Sequence, residues 1–125
     1  MGIGIDIVKV SRIRKLLEKS KFTETRFLEK CLHPKEIQQY RLLQGPQINQ
    51  DQRAKWLGVR WSVKEAAFKA LQPTHYIYMP FMEYAHNEQG MPVINIHKPN
   101  VIIPSLSVSI SHDGDYIVAN ALYLP

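Results

Sequence analysis

The segment Arg60-Trp61-Ser62-Val63-Lys64-Glu65-Ala66-Ala67-Phe68-Lys69-Ala70 gathers charged and small side chains within one helical stretch. Glu65 and Lys69 are four apart and share a helix face. Lys64 points about a quarter-turn away, and Arg60 lies five residues before Glu65. Alone, Glu65 and Lys69 read as a surface ion pair worth a few tenths of a kcal/mol at most, on the order of 0.3. Ala66, Ala67 and Ala70, however, allow another element to approach closely. A carboxylate flanked by cations there can place a metal beside phosphate oxygens. Asp6 is the second acid of interest, inside the apolar run Gly2-Ile3-Gly4-Ile5-Asp6-Ile7-Val8. Strand alternation favours a solvent-facing Asp6; a buried carboxylate would need a cation or another partner.

Arg12, Lys15 and Lys19 form a basic stripe along one helix face. It is either a solvated face or a docking strip for an acidic partner. His112 closes a strand beside Asp113-Gly114, where a lone histidine reads as a turn residue. The five histidines show no zinc-ligand spacing, and the single Cys31 excludes an internal disulfide and a thiolate cluster. Phosphate-loop glycines and the Gly-x-Ser-x-Gly elbow are missing.

The elements that must position these residues follow from periodicity. Residues 2–8 alternate as a strand. Ser11 reads as the N-cap of a helix over 12–19, with Ile13, Leu16 and Leu17 on its apolar face. A shorter helix is expected over 23–30, and His33-Pro34-Lys35-Glu36 opens another. Residues 44–50 are a polar loop. Asp51 is expected to cap the longest helix, over 52–71, which Pro73 ends. An aromatic loop covers 74–80. Strands over 82–85 and 91–97 are joined by Asn87-Glu88-Gln89-Gly90, and 98–104 is a loop. Residues 105–111 alternate strictly, Asp113-Gly114 makes a hairpin turn, and 115–124 returns. Helices early and hairpins late predict α+β with a largely antiparallel sheet.

The chain has 125 residues, 45% hydrophobic and 22% charged, the size and composition of one globular domain spanning 1–125. No apolar run approaches the roughly 20 residues of a membrane span. The net charge of +5 favours an acidic partner. No leader-like pattern precedes the first strand.

Three segments, in order, resemble the signatures of the acyl carrier protein synthase family of 4′-phosphopantetheinyl transferases. They are Gly4-Ile5-Asp6-Ile7-Val8, the Arg60 to Ala70 segment, and Val108-Ser109-Ile110-Ser111-His112-Asp113. With matching spacing and length, the resemblance covers essentially the whole chain. It implies a single lobe: a three-stranded antiparallel sheet packed on a long helix. It implies magnesium-dependent transfer of phosphopantetheine from coenzyme A to a serine of apo acyl carrier protein, releasing adenosine 3′,5′-bisphosphate, within fatty acid biosynthesis. Asp6 and Glu65 match the magnesium ligands; with Lys69 they are the implied catalytic group. Arg60, Lys64, Lys69, Ser111 and His112 match coenzyme A contacts, the last two reaching a neighbouring subunit's nucleotide in bacterial trimers. Arg12, Lys15 and Lys19 match the face that grips the acidic carrier.

The chain departs from the bacterial pattern at Lys9 (usually Glu), at Trp61 (usually Phe) and at Gln72-Pro73-Thr74-His75-Tyr76 (usually a glycine-rich turn). These departures resemble fungal mitochondrial relatives. The expected compartment is the mitochondrial matrix, with a leader trimmed, or else a bacterial cytoplasm. The expected assembly is a homotrimer or a monomer. A non-catalytic basic module binding an acidic protein is the competing reading. A nucleic-acid binder is disfavoured, since Tyr116 and Tyr123 lack accompanying basic residues.

Overall fold

A computed structural model describes residues 1–125. The elements run β1 (Gly2–Lys9), α1 (Val10–Lys19), α2 (Lys21–Cys31), α3 (Pro34–Arg41), α4 (Gln50–Leu71), β2 (Met82–His86), β3 (Pro92–Ile96), β4 (Leu106–Asp113) and β5 (Tyr116–Tyr123). Short 3₁₀ turns occupy Leu42–Gln44 and Met79–Phe81. β1, β5 and β4 form an antiparallel sheet with β5 in the centre, and β2 and β3 make a separate hairpin. The expected α+β arrangement of a three-stranded sheet on a long helix is present. No helix is long and apolar enough to cross a membrane.

The sheet rests on α4 through very small residues. A Cβ added at Gly4 would fall 1.8 Å from the carbonyl oxygen of Ala66, and one at Gly2 would fall 1.8 Å from that of Ala70. Only glycine permits so close a strand–helix approach here. Gly4, Asp6 and Val8 face α4, opposite Ala121, Ala119 and Ile117 of β5. Ile3, Ile5 and Ile7 alternate to the outer face and are exposed.

One core cluster joins α4 (Val63, Ala67, Leu71) to β5 and to Met82 of β2. A second lies under α1 to α3 and includes Ile13, Leu17, Leu32, Tyr40 and Leu57. α4 is buried on several sides, so its apolar residues do not form a single stripe.

Two expected caps are corrected. α1 begins at Val10, directly after β1, and Ser11 lies inside the helix rather than capping it. Asp51 also lies inside its helix; Asn49 caps α4, with Gln52 completing a capping box. α2 is longer than expected because Ser20 caps it, accepting from the Thr23 amide. His33 caps α3, as Pro34 at its first position suggested.

Candidate active site

β1 and α4 bring Asp6, Glu65 and Lys69 together. Asp6 points toward α4, not to solvent, and its side chain is 17% exposed. The solvent-facing reading fails because the glycine-spaced face of β1 packs on the helix. Asp6 Oδ1 lies 3.7 Å from Lys69 Nζ, which also donates to the Ile5 carbonyl at 2.9 Å. Lys69 therefore pairs across the interface rather than with Glu65 along its own helix. Burial raises the Asp6 pKa above its ordinary value; Lys69 opposes this, and the Glu65 charge reinforces it. Asp6 Oδ2 is buried and has no hydrogen-bond partner.

An orphaned carboxylate oxygen beside a second carboxylate is the environment a divalent cation satisfies. No cluster of three or more His, Cys, Asp or Glu ligands exists anywhere in the chain. A pair of carboxylates suits magnesium, which uses one or two of them and completes its shell with water and substrate phosphate.

Lys64 is a correction. Its ammonium is fully buried, donating to the Cys31 carbonyl at 2.8 Å, the Met79 carbonyl at 3.3 Å and the Glu36 carboxylate. Glu36 also accepts from the His33 and Tyr84 amides, both at 2.9 Å. Arg60 belongs to the same interior block. Its guanidinium lies 3.5 Å from the Trp56 ring centroid, with Nε 3.9 Å from Glu36 Oε2. Burial pulls its pKa down to about 10 against the pull of Glu36. Positions 60 and 64 share one helix face, and 65 and 69 share another about 100° round. Arg60 and Lys64 therefore do not flank Glu65 with free positive charge, and the Lys64 ammonium is engaged by Glu36 and two backbone carbonyls.

Ser111 and His112 are exposed at the end of β4. β5 separates β4 from β1, so they lie roughly 10 Å, two strand spacings, from the Asp6 strand. The fold of one chain does not bring them to Asp6.

Arg12, Lys15 and Lys19 are exposed on α1 and form no ion pair. Arg14, by contrast, is held by Glu18 at 2.9 Å and Asp51 at 2.7 Å. Arg12 edges a groove of about 1030 Å³ between α1 and α2, floored by Ile13, Leu16 and Phe27. Arg26 and Lys30 of α2 form its other rim. Sequence reasoning missed this second basic pair, although its i,i+4 spacing was visible. A smaller slot of about 410 Å³ lies beside Glu65, walled by Phe68, Tyr78 and Pro80. Trp61 and Lys30 line both openings. The Trp61 ring stacks on Phe27 at 5.3 Å, and Lys30 Nζ lies 5.8 Å from its centroid.

The family model of the 4′-phosphopantetheinyl transferase superfamily matches residues 2–121. The chain belongs to this superfamily, in its acyl carrier protein synthase branch. It is 49% identical to a Schizosaccharomyces pombe protein provisionally named a holo-[acyl-carrier-protein] synthase, over 100% of this chain and 96% of that one. It is 35% identical to the holo-[acyl-carrier-protein] synthase of Chlorobaculum parvum, over 100% of this chain and 99% of that one. It also resembles the crystal structure of the Helicobacter pylori holo-[acyl-carrier-protein] synthase in complex with coenzyme A. That likeness has a TM-score of 0.67 and 30% identity, covering 98% and 99% of the two chains. The chain is thus an enzyme, a transferase with the fold of this branch. Asp6, Glu65 and Lys69 are the polar cluster at which its strand and long helix meet.

Proposed function

We propose that this transferase moves 4′-phosphopantetheine from coenzyme A to a serine of an apo acyl carrier protein, with magnesium, releasing adenosine 3′,5′-bisphosphate. The observation that carries this is the buried, unpartnered Asp6 Oδ2 beside Glu65 and Lys69. Asp6 and Glu65 would hold the cation. When bound, it neutralises charge on the pyrophosphate as the phosphoanhydride opens. Lys69 adds a positive charge at the same place. The serine oxygen forms the new bond to the phosphorus that carries the pantetheine arm. The oxygen bridging to the adenosine bisphosphate leaves, and the serine proton passes to a site carboxylate or to water. Arg12, Lys15 and Lys19, extended by Arg26 and Lys30, would receive the acidic carrier over an apolar floor.

The outer sheet face supports self-association. Ile3, Ile5 and Ile7 are exposed there beside Val118 and Leu122. An isoleucine row of this kind, flanked by Val118 and Leu122 and interrupted by Asn120 opposite Ile5, fits contact with further copies of the chain, in a homotrimer that would bring Ser111 and His112 of one copy to another's nucleotide. A light-scattering mass equal to the monomer would overturn this assembly.

The departures at Lys9, Trp61 and 72–76 support a mitochondrial matrix location. Diffuse cytosolic signal from a fluorescent fusion of the full gene product would count against it.

The decisive experiment incubates the protein with coenzyme A, magnesium and apo acyl carrier proteins, and follows the carrier by mass spectrometry. A gain of one phosphopantetheine is expected. No gain with several carriers would overturn the reading. Carrier binding indifferent to coenzyme A and magnesium would favour the non-catalytic module.

A further inference from the structure

β1 runs into α1 with no residue between them: Lys9 ends the strand and Val10 begins the helix. Ile13 and Leu17 hold the body of α1 in the core shared with Leu57 of α4, which leaves the first turn, next to the junction, to be fixed from outside. Lys9, at the cap position, makes no side-chain cap. The missing acceptors come from the far end of the chain. The Asp115 carbonyl accepts from the Val10 amide at 2.8 Å. Its Oδ1 accepts from the Ser11 amide at 3.0 Å, and its Oδ2 accepts from the Ser11 hydroxyl at 2.7 Å. Next to it, the Tyr116 ring lies under the Lys9 ammonium, 6.0 Å from its centroid. Residues 115 and 116 thus hold both sides of the junction. Asp115 itself is fixed by the turn at Gly114, whose φ of +58° suits glycine.

We propose that Asp115 is a positioning residue for carrier recognition. It clamps the first turn of α1 to the β4–β5 hairpin and so sets where Arg12 and Lys15 stand relative to Asp6. The inference rests on the reading of α1 as the carrier-docking helix. Arg12 is the next residue after the clamped Ser11, and it lines the groove together with Ile7, Val8 and Lys9 from the end of β1. A carboxylate at a helix N-terminus satisfies free amides and complements the helix dipole, so its loss frees that turn. Asp6, Glu65 and Lys69 lie on β1 and α4, which the glycine–alanine contacts hold together on the other side of the junction. Asp115 bonds only the first turn of α1 and none of these three residues, so loss of the clamp is expected to weaken carrier binding more than coenzyme A binding.

The test compares Asp115→Ala, Asp115→Asn and Ser11→Ala with wild type. The readouts are KM for carrier, KM for coenzyme A, carrier Kd by titration, and hydrogen exchange of the Val10 and Ser11 amides. Asp115→Ala should raise carrier KM and Kd roughly five-fold, with kcat and the coenzyme A KM near wild type. Ser11→Ala should do the same more weakly. Asp115→Asn should restore carrier affinity, because its amide oxygen accepts from the Ser11 amide and its NH₂ donates to the Ser11 hydroxyl. Unchanged carrier affinity in Asp115→Ala, equal loss toward both substrates, or no rescue by Asn overturns the inference. A wild-type chain that binds carrier but does not transfer sinks the proposed function and leaves the Kd ratio to decide this inference. A wild-type chain that binds no carrier sinks both.

Discussion

Asp6 and Lys69 meet across the β1–α4 interface, Oδ1 to Nζ 3.7 Å, while the second oxygen of Asp6 is buried and unpartnered. The fold leaves the pair incomplete. Lys69 is half exposed and shares its ammonium with the Ile5 carbonyl, so it does not neutralise the two carboxylates facing it. An arrangement that costs stability, next to the close Gly4–Ala66 strand–helix contact, is what the proposed function uses as its cation-holding centre.

Asp6→Asn should abolish transfer and stabilise the protein. Burial raises the Asp6 pKa above 3.8, so the folded state holds this proton to higher pH than the unfolded chain does. The stabilising effect of that proton is complete below the ordinary value and is lost as pH rises through the raised one. The gain in Tm from Asp6→Asn should therefore appear at neutral pH and vanish below about pH 3, roughly one unit under the ordinary value. Magnesium should raise the Tm of wild type and not that of the variant. An unchanged difference in Tm across pH would refute the assignment.

Glu65→Gln should fold normally by circular dichroism and, on the proposed function, lose activity about 100-fold or more, since there it is one of the two charges that would hold the cation. Near-normal turnover would remove Glu65 from the site.

Lys64→Met should cost about 3–5 kcal/mol in urea unfolding, because it strands the buried Glu36 charge. Adding Glu36→Gln should recover most of that loss, since the amide oxygen of the new side chain can still accept from the His33 and Tyr84 backbone. If Lys64→Met instead leaves stability unchanged while raising the coenzyme A KM, Lys64 is a phosphate contact after all.

Gly4→Ala should destabilise by about 1–3 kcal/mol or more, since its Cβ would overlap the Ala66 carbonyl. Gly45→Ala, whose Cβ meets nothing, serves as the control. Equal unfolding midpoints for the two variants would contradict the close strand–helix contact.

Much of this fold was legible because it is local. The alternation of β1 and β4, the His33-Pro34 helix start and the Asp113-Gly114 turn each depend on a few adjacent residues. The small residues at 66, 67 and 70 correctly signalled a close neighbour, although not which one. The Asp51 and Ser11 caps were misread because both residue types suit a cap equally well inside or just before a first turn. At α4 the choice went to Asn49, whose partner Gln52 lies at the right offset. At α1 it went to Asp115, which no local pattern can indicate.

The sequence by itself determined the chemical inventory: Asp6 on a strand, Glu65 and Lys69 on one helix face, a basic α1 and the family resemblance that joins them. Only the tertiary structure decided which charges are free. Lys64 and Arg60 look as available as Lys69 along the chain, yet a rotation of about 100° around α4 sends them into the block around Glu36. Asp6 looked solvent-facing until Gly2 and Gly4 laid its face of β1 against the helix. Burial and long-range pairing are properties of packed elements, and they turned a set of charged residues into one site and one structural hub.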